Sequence, residues 1–247
     1  VMVLLVYLKQ KCVAIIAVFI FLFSSISLVQ AANSSTIGSN IIGSAYSLKT
    51  GSLLYRETHK KINHVLHEVK YTEPNGDVFA RKTIDFSQSL IAPSLSQINE
   101  RNGEEIFVRQ EGNSLVVSYK ENSVSKQDSK RFKVDAGMII DAGFDGFIKQ
   151  YWSVLESGKK LSVDYLVPSE KTTFRFRFSR APCIDGTKSD AICFSLSPIS
   201  WVVKLAVDPI VVAYDATEKK LLRFTGRANI ANAAGKYETV DIQYRYF

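Results

Sequence analysis

Cysteine, histidine and proline are all scarce in this chain, and each scarcity excludes something. Six prolines in 247 residues leave no room for proline-rich linkers. The three histidines, His59, His64 and His67, sit in one short stretch with no cysteine beside them. If that stretch is a strand, its period of two sends His64 and His67 to opposite faces. Zinc needs three or four converging ligands, so neither a metal nor a cofactor is expected. Gly-x-Ser-x-Gly is absent, which excludes the strained serine elbow of one large hydrolase class. No internal repeat and no Pro/Gly/Ser-rich linker interrupts residues 45–247.

Long apolar runs are also missing, with one exception at the amino terminus. Lys9 and Lys11 precede the apolar stretch Val13 to Phe23, and Val29-Gln30-Ala31 follows a more polar passage. These are the positive region, hydrophobic core and small-residue cleavage site of a secretory signal peptide. Residues 1–31 are therefore expected to be a signal peptide, 32–44 a flexible lead-in, and 45–247 a single β-rich domain in a periplasmic or secreted protein. If the segment stays uncleaved it becomes a membrane anchor, because Val13 to Val29 approaches the ~17 residues that span a bilayer. Cys12 precedes the hydrophobic core, which excludes a lipoprotein acylation site. Cys183 and Cys193 remain, and an even pair in an exported chain predicts a disulfide closing a short loop.

Charge says little about partners. Without Lys9 and Lys11 the 31 basic residues fall to 29 against 24 acidic ones, an excess of five. That suits an anionic envelope surface, whereas nucleic acid is not an expected partner of an exported, mildly basic chain.

What is present is alternation, broken by one amphipathic helix. Phe144, Phe147, Ile148, Tyr151, Trp152 and Leu155 form an apolar stripe at helical spacing, and Gly158 stands at the stop position. The spacing predicts a helix over about 144–157. On either side the period is two. Leu161 to Val167 alternates, as does Phe174-Arg175-Phe176-Arg177-Phe178, and Val240, Ile242, Tyr244 and Tyr246 share one face of a final strand. Pro74-Asn75-Gly76-Asp77, Arg101-Asn102-Gly103-Glu104 and Glu111-Gly112-Asn113 read as hairpin turns. The expected fold is mainly β (α+β): a strongly curved antiparallel sheet or half-barrel of about ten strands with one central amphipathic helix. Pro198 to Val207 reads as a short helix, and Asn229 to Lys236 as the last connection.

Several residues are then candidates for a site. The aromatic helix and Phe174, Phe176 and Phe178 would line a concave apolar interior. Arg175, Arg177 and Arg180, with Arg223 and Arg227 on a neighbouring strand, would contact an anion if they converged; alternating arginine also simply keeps an outer face in water. Asp141 and Asp145 flank the helix start, where carboxylates favour the positive end of the dipole. With Glu156 and the histidines they are the residues a hydrolase would use.

Gly143-Phe144-Asp145-x-Phe147, Trp152, Leu155 and Gly158 resemble a family of exported proteobacterial β-rich proteins of unassigned function. So do Val167-Pro168-Ser169, Asp208-Pro209-Ile210, Tyr214-Asp215 and Leu222-Arg223-Phe224-x-Gly226-x-x-Asn229-Ile230. The resemblance implies a periplasmic β domain and no known activity. In architecture alone, a curved sheet holding a helix resembles the half-barrels of periplasmic lipoprotein carriers. The expected function is non-catalytic binding of a lipid or other hydrophobic ligand in the concavity of the sheet. An envelope scaffold or interaction protein with a solid core, and a hydrolase of an envelope polymer, are the alternatives.

Overall fold

The computed structural model describes residues 40–134, 137–201 and 209–247. The expected signal peptide and most of the expected lead-in lie outside the described residues, as do residues 202–207 of the Pro198–Val207 stretch. Alternating sequence becomes strand throughout. The first half of the chain supplies β1 (Ile41–Ser47), β2 (Leu53–Lys61), β3 (Leu66–Thr72), β4 (Val78–Asp85), β5 (Ser94–Asn99), β6 (Glu104–Glu111), β7 (Ser114–Lys120) and β8 (Asp128–Lys133). After β9 (Ile139–Ile140) come two helical segments, α1 (Gly143–Gln150) and α2 (Trp152–Glu156). The rest is β10 (Leu161–Val167), β11 (Thr172–Arg180), β12 (Ala191–Pro198), β13 (Ile210–Asp215), β14 (Leu221–Ala231) and β15 (Tyr237–Tyr246).

All fifteen strands form one sheet, ordered β8-β7-β6-β5-β4-β3-β2-β1-β15-β14-β13-β12-β11-β10-β9, which is not closed into a barrel. The curved β fold expected from alternation is present, but fifteen strands replace about ten. The additional strands are those whose sequences hide them. Ile41–Ser47 contains glycine and two serines, and its first four residues fall in the expected lead-in, yet it pairs with both β2 and β15 near the middle of the sheet. Asp128–Lys133 is polar on both faces because it is an exposed edge. β9 has only two residues.

Sheets this wide must curl, and here the curl brings the two ends together. Ile140 of β9 and Leu166 of β10 share an apolar cluster with Leu95, Val108, Leu115 and Val117 of β5–β7. Ile140 N–H also donates to Ile91 O at 2.9 Å. Tyr165 and Leu166 point to opposite faces of β10. The β9–β10 end thus tucks one face against β5–β7 while the other looks into the hollow. Contact between the ends is made by side chains and this one backbone hydrogen bond, not by a ladder, so the roll overlaps and does not close.

The helix is not central. It is interrupted at Tyr151 (φ −105°, ψ 22°) and packs to one side. Phe147, Ile148, Trp152 and Leu155 are buried with Phe178, Phe194, Leu196, Val212 and Tyr214 of β11–β13. Trp152 meets Phe194 and Tyr214 edge-on at 5.2 and 5.7 Å between ring centroids, a geometry favoured by the ring quadrupoles. Gly158 (φ +86°) ends the helical run as expected. A second cluster, with Tyr55, Tyr71, Phe79, Ile230 and Val240, fills the space between β1–β4 and β14–β15.

Cys183 and Cys193 form the expected disulfide across the mouth of the β11–β12 loop. Arg223 holds that loop on the outer face. Its guanidinium pairs with Asp241 (2.5 and 3.1 Å) and donates to Asp185 O and Thr187 Oγ1. No turn forms around Gly226 to Asn229. β14 runs on to Ala231 through a register shift between Arg227 and Ala231, and the turn lies at Asn232–Lys236.

Gly143 is a position where no side chain fits. A Cβ built there would lie 1.9 Å from Ile91 O, the carbonyl that also accepts from Ile140. Replacing Gly143 with alanine would push apart the contact that joins the two ends of the roll. The expected cost is about 1–3 kcal/mol or more in urea denaturation, whereas an unchanged midpoint would show that this contact does not hold the roll shut.

Candidate functional site

Because the helical pair packs to one side, the remaining concavity is hollow, with a cavity of about 860 Å³. Small-molecule sites commonly span roughly 300–1,000 Å³. A second hollow of about 260 Å³ lies beside Leu54, Tyr55 and the Arg101–Glu73 ion pair. It has under a third of the volume, so the larger cavity is the candidate site.

The cavity has two unlike walls. Phe144 of α1, Phe174 and Phe176 of β11, Leu196, Ile210 and Phe224 make an apolar wall. Opposite it, register aligns inward polar side chains across β2–β5. His59 pairs with Val69, Val69 with Lys82, and Lys82 with Gln97. One row further along, Glu57 pairs with Tyr71, and Asn99 with Glu104. Glu57, Lys82, Gln97, Asn99 and Glu104 are all buried.

Buried charge is costly without partners, and partners are present. Lys82 Nζ donates to Asp141 Oδ2 at 2.6 Å, with 3% of its side chain exposed. Asp141 Oδ1 accepts from Asn229 Nδ2 (3.3 Å) and its backbone oxygen from the Tyr165 hydroxyl (2.8 Å). Asp141 thus links β4, β14 and β10 at the start of the helix, and it does so with φ at +45°, a conformation aspartate tolerates better than most residues. Glu57 Oε1 lies 3.0 Å from His59 Nε2 and accepts from the Tyr244 hydroxyl at 2.7 Å. Gln97 Nε2 and Asn99 Nδ2 donate to the backbone oxygens of Asn229 and Ala231, at 3.1 and 2.9 Å.

The two buried glutamates are pushed in opposite directions. Burial works against the charge of Glu57, but His59 and the Tyr244 hydroxyl outweigh it and hold the carboxyl below its ordinary value of 4.5. Burial dominates at Glu104 and raises its carboxyl, although the Tyr237 and Tyr119 hydroxyls donate to Oε1; its Oε2 has no hydrogen-bond partner among the described residues. His67, which also lines the cavity, is held below 6.5 by burial and by Lys61 and His59. Burial keeps the Tyr71 and Tyr244 phenols neutral.

The residues predicted from sequence separate into groups. Phe144, Phe174 and Phe176 line the cavity. Phe147, Ile148, Trp152, Leu155 and Phe178 belong to the solid core beside it, and Tyr151 is exposed. The five arginines do not converge. Arg175 pairs with Asp164 on the outer face, Arg177 is exposed, Arg180 donates to Glu156 O, and Arg223 holds the disulfide loop. Arg227 alone reaches the cavity, where it lies over the Tyr237 ring. Asp145 pairs with Lys149 and accepts from the Tyr214 hydroxyl.

Among the described residues no group of three His, Cys, Asp or Glu side chains is placed to hold a metal ion. The Glu57–His59 pair is a carboxylate-oriented imidazole, but among the described residues no serine or cysteine is hydrogen-bonded to it. The polar wall itself went unpredicted. Its signal was the polar residue inside an inward-facing set: Glu57 between Tyr55 and His59, Lys82 between Ala80 and Ile84, Gln97 between Leu95 and Asn99.

Two outcomes follow. Lys82→Met should cost about 3–5 kcal/mol by leaving Asp141 buried and unpaired, with part of the loss recovered in the Lys82→Met/Asp141→Asn double variant; a near-zero single-variant cost would remove the pair from the account. The glutamates should show opposite pH behaviour. Glu57, depressed, contributes stability at and above 4.5 that is lost as pH falls below it, so Glu57→Gln should flatten the acid limb of a denaturation series. Glu104, raised, contributes stability at low pH that is lost as pH rises, so Glu104→Gln should gain relative to wild type towards neutral pH.

No family model, no curated protein and no solved structure matches this chain.

Proposed function

We propose that the protein is an exported binding protein that holds a lipid or another hydrophobic, chain-like ligand in the hollow of its rolled sheet. The observation that carries this reading is the cavity itself: about 860 Å³ with an apolar wall built around Phe144, Phe174, Phe176 and Phe224. An apolar hollow of that size is the usual form of a ligand site. A protein whose task was only to present a surface would gain stability by filling it, since voids cost packing energy.

Export is supported by the Cys183–Cys193 disulfide, a bond that persists in oxidising compartments. Among the described residues no helix is long and apolar enough to cross a membrane. The predicted signal peptide makes the periplasm the compartment of choice, where a carrier or sensor of lipid would meet its ligand.

Solvent extraction of the purified protein followed by mass spectrometry tests the proposal. Wild type should release a long-chain species, or take up the neutral dye N-phenyl-1-naphthylamine with a rise in fluorescence. Ala142→Trp, which projects a large ring into the hollow from the residue before α1, should do neither while keeping its unfolding midpoint. Empty extracts together with absent dye uptake in wild type would sink the reading.

A further inference from the structure

The charge around the cavity assigns the chemistry of the ligand's head, an assignment that rests on the binding reading above. One end of the hollow is framed by elements that the sheet register brings together. Ile41 of β1 pairs with His59 of β2 and with Tyr246 of β15. The Tyr246 hydroxyl donates to Leu221 O at the start of β14, and Lys220 lies over the Tyr246 ring. The ends of β2 and β15, the β13–β14 turn and α1 therefore share one rim. Lys60, Lys61, Lys149, Lys219 and Lys220 line it, against Asp145 and Glu218.

Two of the five lysines are already paired, Lys149 with Asp145 at 2.8 Å and Lys220 with Glu218 at 2.6 Å. Lys60, Lys61 and Lys219 have no carboxylate within ion-pair distance among the described residues. Lys60 and Lys61 are neighbours on β2 and point to opposite faces. Lys61 shares the inward face of Glu57 and His59 and lies opposite His67, so Lys61 and Lys219, from two different elements, are the ones whose charge adds at the mouth. Further in, the charges work the other way. Glu57 and Asp141 face the hollow, the one interior lysine, Lys82, is committed to Asp141, and Arg227 is stacked over the Tyr237 ring away from them. An anion carried towards Glu57 and Asp141 would meet carboxylates in a medium that screens poorly. At the mouth it meets Lys61 and Lys219, which have no carboxylate partner among the described residues, the Lys219 ammonium lying 5.2 Å from the centre of the Trp152 ring.

We infer that the ligand is an anionic single-chain amphiphile, bound with its carboxylate or phosphate head at the Lys61–Lys219 rim and its chain along the Phe144–Phe176–Phe224 wall. The cavity then has a direction: head at the rim, tail inside. A cationic or neutral head gains nothing at this mouth.

Three probes with the same hexadecyl length decide the matter: hexadecanoate, hexadecyl phosphate and hexadecanol, each titrated against N-phenyl-1-naphthylamine. At low salt at least one anion should bind roughly tenfold tighter than the alcohol, a gain in line with a few charge-assisted contacts. Added sodium chloride should erase that advantage and leave the alcohol unchanged. The variant Lys61→Gln/Lys219→Gln, altered only at the rim, should lose it too. Preference for the carboxylate would name a fatty acid as the source, and preference for the phosphate a phospholipid. Equal binding of all three probes, unmoved by salt or by the variant, would overturn the inference and leave the cavity reading intact. Failure of dye and hexadecanol alike to bind would instead defeat the reading beneath it.

Discussion

The roll depends on the way β14 is held from inside. Where its register with β15 shifts between Arg227 and Ala231, backbone groups leave the ladder and need other partners. Gln97 and Asn99 of β5 supply them from across the interior, donating to Asn229 O and Ala231 O. Asn229 in turn donates to Asp141, which accepts from Lys82. One continuous set of hydrogen bonds thus ties β4, β5 and β14 to the start of the helix. Wide antiparallel sheets need curvature, and a bulged strand provides it by bending and by strengthening the local twist. Here the bulge is stable only because the inward polar residues complete its hydrogen bonds, so the polarity of the interior and the shape of the sheet have the same cause.

That coupling explains why the cavity is not filled. A wholly apolar lining would collapse onto the aromatic helix, as Trp152, Phe178 and Phe194 do on their side. The facing wall cannot follow, since drawing Glu57, Lys82 or Gln97 into aromatic contact would strand their polar atoms, at a cost of roughly 1–3 kcal/mol each. Hollowness is the compromise between one half of the sheet that packs dry and another that must keep its hydrogen bonds. Asp141 absorbs part of the strain in its positive φ, at the point where the two halves meet.

Much of this was legible in the sequence, and the part that was not has a physical reason. Alternation located the long strands, Gly158 the end of the helix, and Cys183 and Cys193 the bridged loop. The apolar stripe of the helix named its buried residues but not what they would face. An amphipathic helix requires one partner surface, and periodicity cannot say whether that surface is the middle of a sheet or one side of it. Phe147 and Trp152 found theirs in β11–β13, which left Phe144, Phe174 and Phe176 to line a hollow that composition cannot reveal. β1 was hidden because a strand paired on both sides draws stability from its neighbours' hydrogen bonds, and Gly43 fits where a Cβ would meet Glu57, Ile242 and Tyr244 within 2.9 Å.

The polar wall was hidden for a further reason. Lysine and glutamate in a strand are normally read as pointing to water, and in β4 the alternation that places Ala80 and Ile84 inside also places Lys82 inside. Taken strictly, the period demands a buried lysine, and a buried lysine demands a carboxylate. The chain offers Asp141, 59 residues away, at the start of the only aromatic-rich helix among the described residues. Strict alternation together with the cost of an unpaired charge therefore predicts a long-range contact that neither motif nor composition suggests. The same logic applied to Glu57 leads to Tyr244, whose inward face the final strand had already declared. In curled sheets of this kind, the polar residue that breaks an inward apolar pattern is the most informative one, because its partner fixes how the ends of the sheet meet.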